Sequence, residues 1–400
     1  MSEERRLLTA ESVTEGHPDK VCDQIADAIL DETLRQDPLA RCACEVAATN
    51  GIVFIFGEIS TEGFVDFDAI TRRTLRRIGY DKPDTGFDGR HCAVLSSIQE
   101  QSSDIAQGVD RSEEAREGDQ DAHDAAGAGD QGIMFGYASN ETDTLMPLTM
   151  DLANRLAFRL AQVRKEGLVD HLRPDGKTQV AVEYVDGKPR RVDAILISTQ
   201  HDPEVIMKEL KEQLWIQVVQ PSIDPALLDS ETKFYVNPTG RFELGGPAAD
   251  SGLTGRKLVI DTYGDRAHHG GGSFSGKDPS KVDRSATYYA RYVAKNVVAA
   301  GLADRLEIEL AYAIGRATPF SMDVNSFATG KLPDETLKEI INEVFDFRPL
   351  AIIESLDLRR PIYGKTAAYG HFGRRDITFP WEVLDQVEAL QAAAKKRGLA

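Results

Sequence analysis

Cysteine is scarce in this sequence. Four thiols occur in 400 residues, Cys22, Cys42, Cys44 and Cys92, and no two form a C-x-x-C pair. That usage argues against a zinc site or a dithiol redox centre and favours reduced thiols in a cytoplasmic protein. Basic charge is also in deficit: 47 Lys and Arg stand against 65 Asp and Glu, a formal charge of −18. Phosphate backbones need a basic face, so no nucleic-acid partner is expected. A small anion held in a local basic pocket stays open. Long apolar runs are missing too. "GIVFIFG" at 51–57 is strand-sized, so no membrane span is expected. "MSEERRLLTAESV" has neither a long apolar core nor a small-residue cleavage site, so no signal peptide is expected.

What is present is ordinary for a folded chain: 41% apolar and 28% charged residues, in a length that allows two or three domains. "GHPDK" opens a helix with Pro18 in its first turn, and Val21, Cys22, Ile25, Ala26, Ile29 and Leu34 recur at helical spacing. Asn50-Gly51 marks a tight hairpin turn between "CACEVAAT" and "IVFIFGEIS". That register sets Thr49 against Ile52, Glu45 against Phe56 and Ala43 against Glu58, so Glu45 and Glu58 share a sheet face. Two carboxylates there call for solvent, a cation or an amine to neutralise them. Helices are expected at 148–165 and 202–221, from Val282 to near Gly301, at 333–345 and at 383–396. Strands are expected at "HCAVLSSI", "RKLVIDTYG" and "DRLEIELAYAI", with a second hairpin turning at Asp186-Gly187. The acidic, Ala- and Gly-rich stretch 107–129 can bury little and reads as a mobile linker or lid.

Three stretches could carry chemistry. Gly271 to Lys277 spells G-x-x-x-x-G-K, but Asp278 stands where a P-loop has Ser or Thr, so the Mg²⁺-holding hydroxyl is missing. Asp278-Pro279 reads instead as a helix N-cap and first-turn proline. Backbone N–H groups of Gly270 to Gly272, with Lys277, Lys281 and Arg284 near a helix start, suit an anion. A capped glycine turn with solvated lysines explains the same residues. At 17–19, His17 can polarise a phosphate oxygen and Asp19 can ligate Mg²⁺, or Asp19 simply complements the helix dipole. Asp130 lies on a glycine-flanked turn. His268 and His269 are adjacent in an extended stretch and point opposite ways, so they form no metal pair.

Taken together and in order, "GHPDK", "GAGDQG" and "GGGSFSGKD" resemble the signature segments of the S-adenosylmethionine synthetase (methionine adenosyltransferase) family. "NPTGRF", "DSGLTGRK", "KVDRS" and "AAYGHFGR" extend the resemblance from about Leu8 to Trp381. It departs at Ser273, where the signature usually has Ala, and over Ser112 to Ala126, longer and more acidic than in many relatives. The resemblance implies an α+β fold of three similar domains related by a pseudo-threefold axis. Their expected bounds are 1–106, 130–244 and 245–400, with an active-site loop at 107–129 that closes over substrate. It implies a homodimer with shared active sites, often paired into a tetramer. The implied reaction joins ATP and L-methionine and cleaves the triphosphate to phosphate and diphosphate, with Mg²⁺, two ions per site, and K⁺.

By the same resemblance, His17, Lys277 and Asp130 are catalytic. His17, Asp175, Gly176, Lys177, Arg241, Phe242, Asp250, Arg256, Lys257, Ser273 and Lys277 line ATP. Glu58, Gln101, Asp250 and Lys281 take methionine; Asp19 and Asp283 hold Mg²⁺ and Glu45 holds K⁺. A thioether is already nucleophilic, so the barrier lies in the leaving group, where donors and cations act. Two other classes remain: a kinase or ligase, which would release ADP or AMP, and a non-catalytic nucleotide-binding subunit.

Overall fold

The computed structural model describes residues 4–83, 86–102, 109–119 and 121–399. Eleven strands among them form three sheets. The first contains β2 (Arg41–Thr49), β3 (Ile52–Ser60), β4 (Ala93–Gln99) and β9 (Gly252–Leu253), in the order β4-β3-β2-β9. The second joins β1 (Arg5–Val13), β6 (Leu172–Val185), β7 (Lys188–His201) and β8 (Lys233–Val236), in that order. In the third, β10 (Arg305–Tyr312) lies between β5 (Gly132–Ser139) and β11 (Ser321–Asn325). Mixed sheets with helices make this an α+β fold.

The β2–β3 hairpin has the expected register, with Thr49 opposite Ile52, Glu45 opposite Phe56 and Ala43 opposite Glu58. Gly51 makes the turn at φ +80°, a conformation that costs a glycine little. Cys42, Cys44, Val46 and Ala48 alternate into the core, so Ala43, Glu45 and Ala47 occupy the other face. On that face Phe54 is 37% and Leu95 51% exposed.

The helices are α1 (Pro18–Gln36), α2 (Phe67–Ile78), α3 (Glu113–Glu117), α4 (Leu148–Lys165), α5 (Met207–Leu214), α6 (Val282–Ala299), α7 (Asp334–Val344), α8 (Pro349–Ser355) and α9 (Val387–Lys396). Pro18 occupies the first turn of α1 as expected. Residues 107, 108 and 120 of the acidic stretch lie outside the described residues. Its described part is tied down at several points: Ser112 caps α3, Glu114 accepts from the Ala317 and Thr318 N–H groups, and Arg348 pairs with Asp121 and Asp124.

Three expectations need correction. "RKLVIDTYG" is not a strand; Leu258–Asp261 is one helical turn, which sets the Asp261 carboxylate against Lys20 in the core. That tertiary pairing overrides the strand propensity of Leu-Val-Ile. Asp278 is not an N-cap. The N-cap of α6 is Lys281, and the Asp278 carboxylate accepts from the Cys42 and Ser280 N–H groups. The helix expected over 202–221 begins at Met207 and widens into a π-turn over Trp215–Val219, just ahead of Pro221, whose ring crowds the preceding turn.

Candidate active site

The first group of site residues gathers where α1 begins. Gly16 packs so closely that a Cβ there would lie 2.3 Å from the Pro174 oxygen. This contact brings the "GHPDK" turn against Asp175, Gly176 and Lys177 on β6. His17 caps α1, its Nδ1 accepting from the Asp19 N–H at 3.2 Å. The proton of the neutral ring is therefore on Nε2, which is left as a donor. Burial, then the Lys257 cation, push this imidazole down to about 3, so it is neutral near pH 7.

Asp19 is buried at the same point. Its Oδ2 lies 2.5 Å from the Lys257 ammonium, its Oδ1 accepts from the Leu253 N–H at 3.0 Å, and Arg256 stands 3.6 Å away. Burial alone would raise this carboxyl, but Lys257 and the Leu253 N–H outweigh it and hold it below the usual range. Asp175 Oδ2 accepts from the Gly246 N–H at 2.8 Å, while its buried Oδ1 has no partner. Burial pushes the Asp175 carboxyl up to about 6. An unpartnered buried oxygen suits a ligand hydroxyl or amine. Asp250 is exposed and turns back to the Ser251 N–H. Arg241 is exposed beside Phe242, whose N–H donates to His201 Nε2.

The second group surrounds the glycine run. Gly270 and Gly272 have no room for a Cβ: one would meet the Ile133 oxygen, the other Asp283 Oδ1 at 2.3 Å. Lys277 Nζ lies 2.6 Å from Asp283 Oδ2, at the first turn of α6. Lys281 is 2.6 Å from buried Asp278, and Arg284 is fully engaged with buried Asp27, so neither is a solvated helix-start cation. Lys277 pairs with Ala43 of β2 in an isolated bridge, which sets the run beside Glu45 and Glu58. The Thr254 hydroxyl donates to Glu45. Burial pushes the Glu45 carboxyl up, against the opposing pull of Thr254 and Lys277. Gln101 follows β4, its N–H donating to Ser60 Oγ. Asp130 is exposed on its turn, accepting from the Gln131 N–H. His268 bonds Glu307 while His269 accepts from the Gly271 N–H, so the two rings diverge as expected.

Ser273 packs on Gly255, and Glu45 touches Thr254, so the two groups lie back to back around the 252–257 loop. No hydrogen bond or ion pair joins Asp19 or Lys257 to Lys277 or Asp283 among the described residues. A cavity of about 320 Å³, lined by Asn154, Phe158, Arg159, Tyr369 and Phe372, lies elsewhere and holds none of the expected site residues.

Asp19 and Asp283 are hard oxygen donors, each now facing a lysine ammonium, and both fit a divalent cation shared with phosphates. Glu45, desolvated with a hydroxyl for partner, fits a monovalent one. Sequence reading overlooked a further set on α1. Asp23 and Asp27 accept from the Gly255 and Gly276 N–H groups, at 3.0 and 2.9 Å. The D-x-x-x-D spacing was the available signal.

The protein is of the α+β class, and its glycine-backed lysines, neutral imidazole donor and metal-type carboxylates are a set that suits a polyphosphate. The particular family follows from comparison with known proteins. Residues 5–103, 125–242 and 244–383 match the N-terminal, central and C-terminal domains of S-adenosylmethionine synthetase, and the chain belongs to that family. An S-adenosylmethionine synthase of Clostridium acetobutylicum is 60% identical over 387 residues, 97% of this chain and 99% of the relative. The protein of that name from Finegoldia magna is 56% identical over 385 residues, 96% of this chain and 98% of the relative. That from Clostridium botulinum is 56% identical over 387 residues, 97% of this chain and 99% of the relative. No helix among the described residues is long and apolar enough to cross a membrane.

Proposed function

We propose that this chain is a methionine adenosyltransferase that makes S-adenosylmethionine from ATP and L-methionine. The methionine sulfur attacks C5′ of the ribose. The S–C5′ bond forms as the C5′–O bond breaks, and the bonding pair leaves on the triphosphate. Water then cleaves the triphosphate to phosphate and diphosphate. The observation that carries this reading is neutral, buried His17, with its free Nε2–H beside Lys257. A donor set in place before charge develops stabilises a leaving oxygen by roughly 3–4 kcal/mol. Lys257, Arg256 and Lys177 hold the phosphates, and Asp175 and Asp250 orient the nucleoside. Glu58, Gln101 and Lys281 hold methionine in line with C5′, which is an orientation effect. Lys277 and Asp130 complete the catalytic set.

Asp19 and Asp283 would hold Mg²⁺ and Glu45 would hold K⁺; such cations would neutralise the polyphosphate and its surroundings. The active unit is a homodimer with shared sites, assembled further into a tetramer, in the cytoplasm. The open face carrying Phe54 and Leu95 is where a second copy packs. The back-to-back placement of the two groups supports this, because the 255–257 group of one copy then faces the Lys277–Asp283 group of the other. Incubation with ATP, methionine, Mg²⁺ and K⁺, followed by identification of every product, tests the reading. It gives S-adenosylmethionine, phosphate and diphosphate; ADP or AMP would instead indicate a kinase or ligase.

A further inference from the structure

Four carboxylates stand at four-residue intervals along α1: Asp19, Asp23, Asp27 and Asp31. Residues four apart lie about 6 Å apart along a helix and on nearly the same face, so the row winds slowly round the axis. Each accepts a backbone N–H from a different loop position: Asp19 from Leu253 at 3.0 Å, Asp23 from Gly255 at 3.0 Å and Asp27 from Gly276 at 2.9 Å. Asp31 accepts from Tyr363 and Gly364, both at 2.8 Å.

Buried cations balance the middle two. Lys20 lies 3.0 Å from Asp23 and also meets Asp261. Arg284 grips Asp27 with two bonds, at 2.7 and 2.9 Å. A hydrophobic replacement of such pairs is often no less stable, so stability alone is a weak account of them. Their partners are more telling. Gly255 precedes Arg256 and Lys257; Gly276 precedes Lys277. Both glycines have left-handed backbone, at φ +70° and +81°, and their Cβ positions are blocked by Ser273 and the Cys44 oxygen. Their N–H directions are therefore fixed by the loops, and Asp23 and Asp27 receive them.

We infer that Asp23 and Asp27 are positioning residues for the transfer reaction. One helix face acts as a ruler that sets the Arg256–Lys257 loop and the Lys277 cradle at a fixed spacing. Asp31, on the same ruler, holds a segment that carries no site residue. The inference rests on the proposed transferase reading and is tested by variants on which a merely structural role would act alike.

Asp23→Ala and Asp31→Ala are compared by amide hydrogen exchange and by kcat and ATP affinity, well below each melting temperature. Asp23→Ala speeds exchange at Gly255 and lowers kcat about 100-fold, the scale of a 1 Å misplacement. Asp23→Asn, which keeps an acceptor oxygen while Lys20 keeps Asp261, recovers kcat to within about fivefold of the parent. Asp31→Ala loosens Tyr363 and Gly364 and lowers the melting temperature, with kcat within about threefold of the parent. Should Asp23→Ala not fold, Asp23→Ser, whose side chain is too short to reach Gly255, stands in for it. Equal kcat losses in the Asp23 and Asp31 variants, or an Asp23 variant with parental kcat, would overturn the inference. Failure of the transferase reading is a separate result: the parent protein itself would make no sulfonium, while exchange at Gly255 would still report whether Asp23 holds it.

Discussion

The Asp19 carboxylate and the Lys257 ammonium, 238 residues apart in sequence, meet at 2.5 Å, the carboxylate buried and the ammonium partly exposed. This pair closes the α1 turn onto the loop that carries Arg256. On the proposed reading Lys257 would pass to phosphate and Asp19 would hold a divalent cation, each giving up the other as partner. Lys257→Ala therefore weakens ATP binding roughly 10- to 100-fold, the worth of one charge-assisted hydrogen bond. Titration with a non-hydrolysable ATP analogue measures it; unchanged affinity would remove Lys257 from the phosphate site.

The role proposed for His17 serves the transition state more than the ground state. His17→Asn lowers kcat about 100- to 1000-fold while the affinity for ATP analogue changes less than about fivefold. Single-turnover kinetics with parallel binding measurements check this. Equal losses in binding and turnover would assign His17 to ground-state binding.

The open face of the first sheet carries Phe54 stacked on Phe56 at 5.2 Å, beside exposed Leu95. On the proposed dimer reading this apolar face is covered by a second copy. The double substitution Phe54→Glu, Leu95→Glu shifts the protein to monomer in sedimentation experiments and abolishes activity together with assembly. Full activity in the monomer would show that one copy holds a whole site.

Much of this fold was legible because its signals are local. The hairpin register followed from Asn50-Gly51, and the helix over Leu148–Lys165 from its apolar period. β1 escaped notice because its partner is remote: Arg5 pairs with Val185 and Val13 with Lys177. The strand reading of "RKLVIDTYG" failed for a similar reason, since Asp261 is placed by Lys20. The family was legible from ordered motifs, and the candidate site residues rest on that resemblance. Their division into two groups was not, because Asp19–Lys257 and Lys277–Asp283 form across different loops. The α1 carboxylates escaped notice because apolar periodicity marks Ile25 and Ile29, while Asp23 and Asp27 are equally buried without any apolar signal.

His268 offers a pH test close to the glycine run. Its hydrogen bond to Glu307, at 2.8 Å, raises the imidazole above its ordinary value of 6.5. A raised folded value means that this pair's contribution is complete below pH 6.5 and is lost as pH rises through the folded value. In NMR titration the His268 midpoint lies above 6.5, and Glu307→Gln brings it down. A midpoint insensitive to Glu307→Gln would contradict the pairing.

In the proposed reaction the bond broken is C5′–O, with charge departing on the triphosphate. ATP carrying ¹⁸O at the oxygen bridging C5′ and the α-phosphorus tests it directly. All the label is expected in inorganic phosphate and diphosphate, with none in the adenosyl product; label retained on the nucleoside would overturn displacement at C5′.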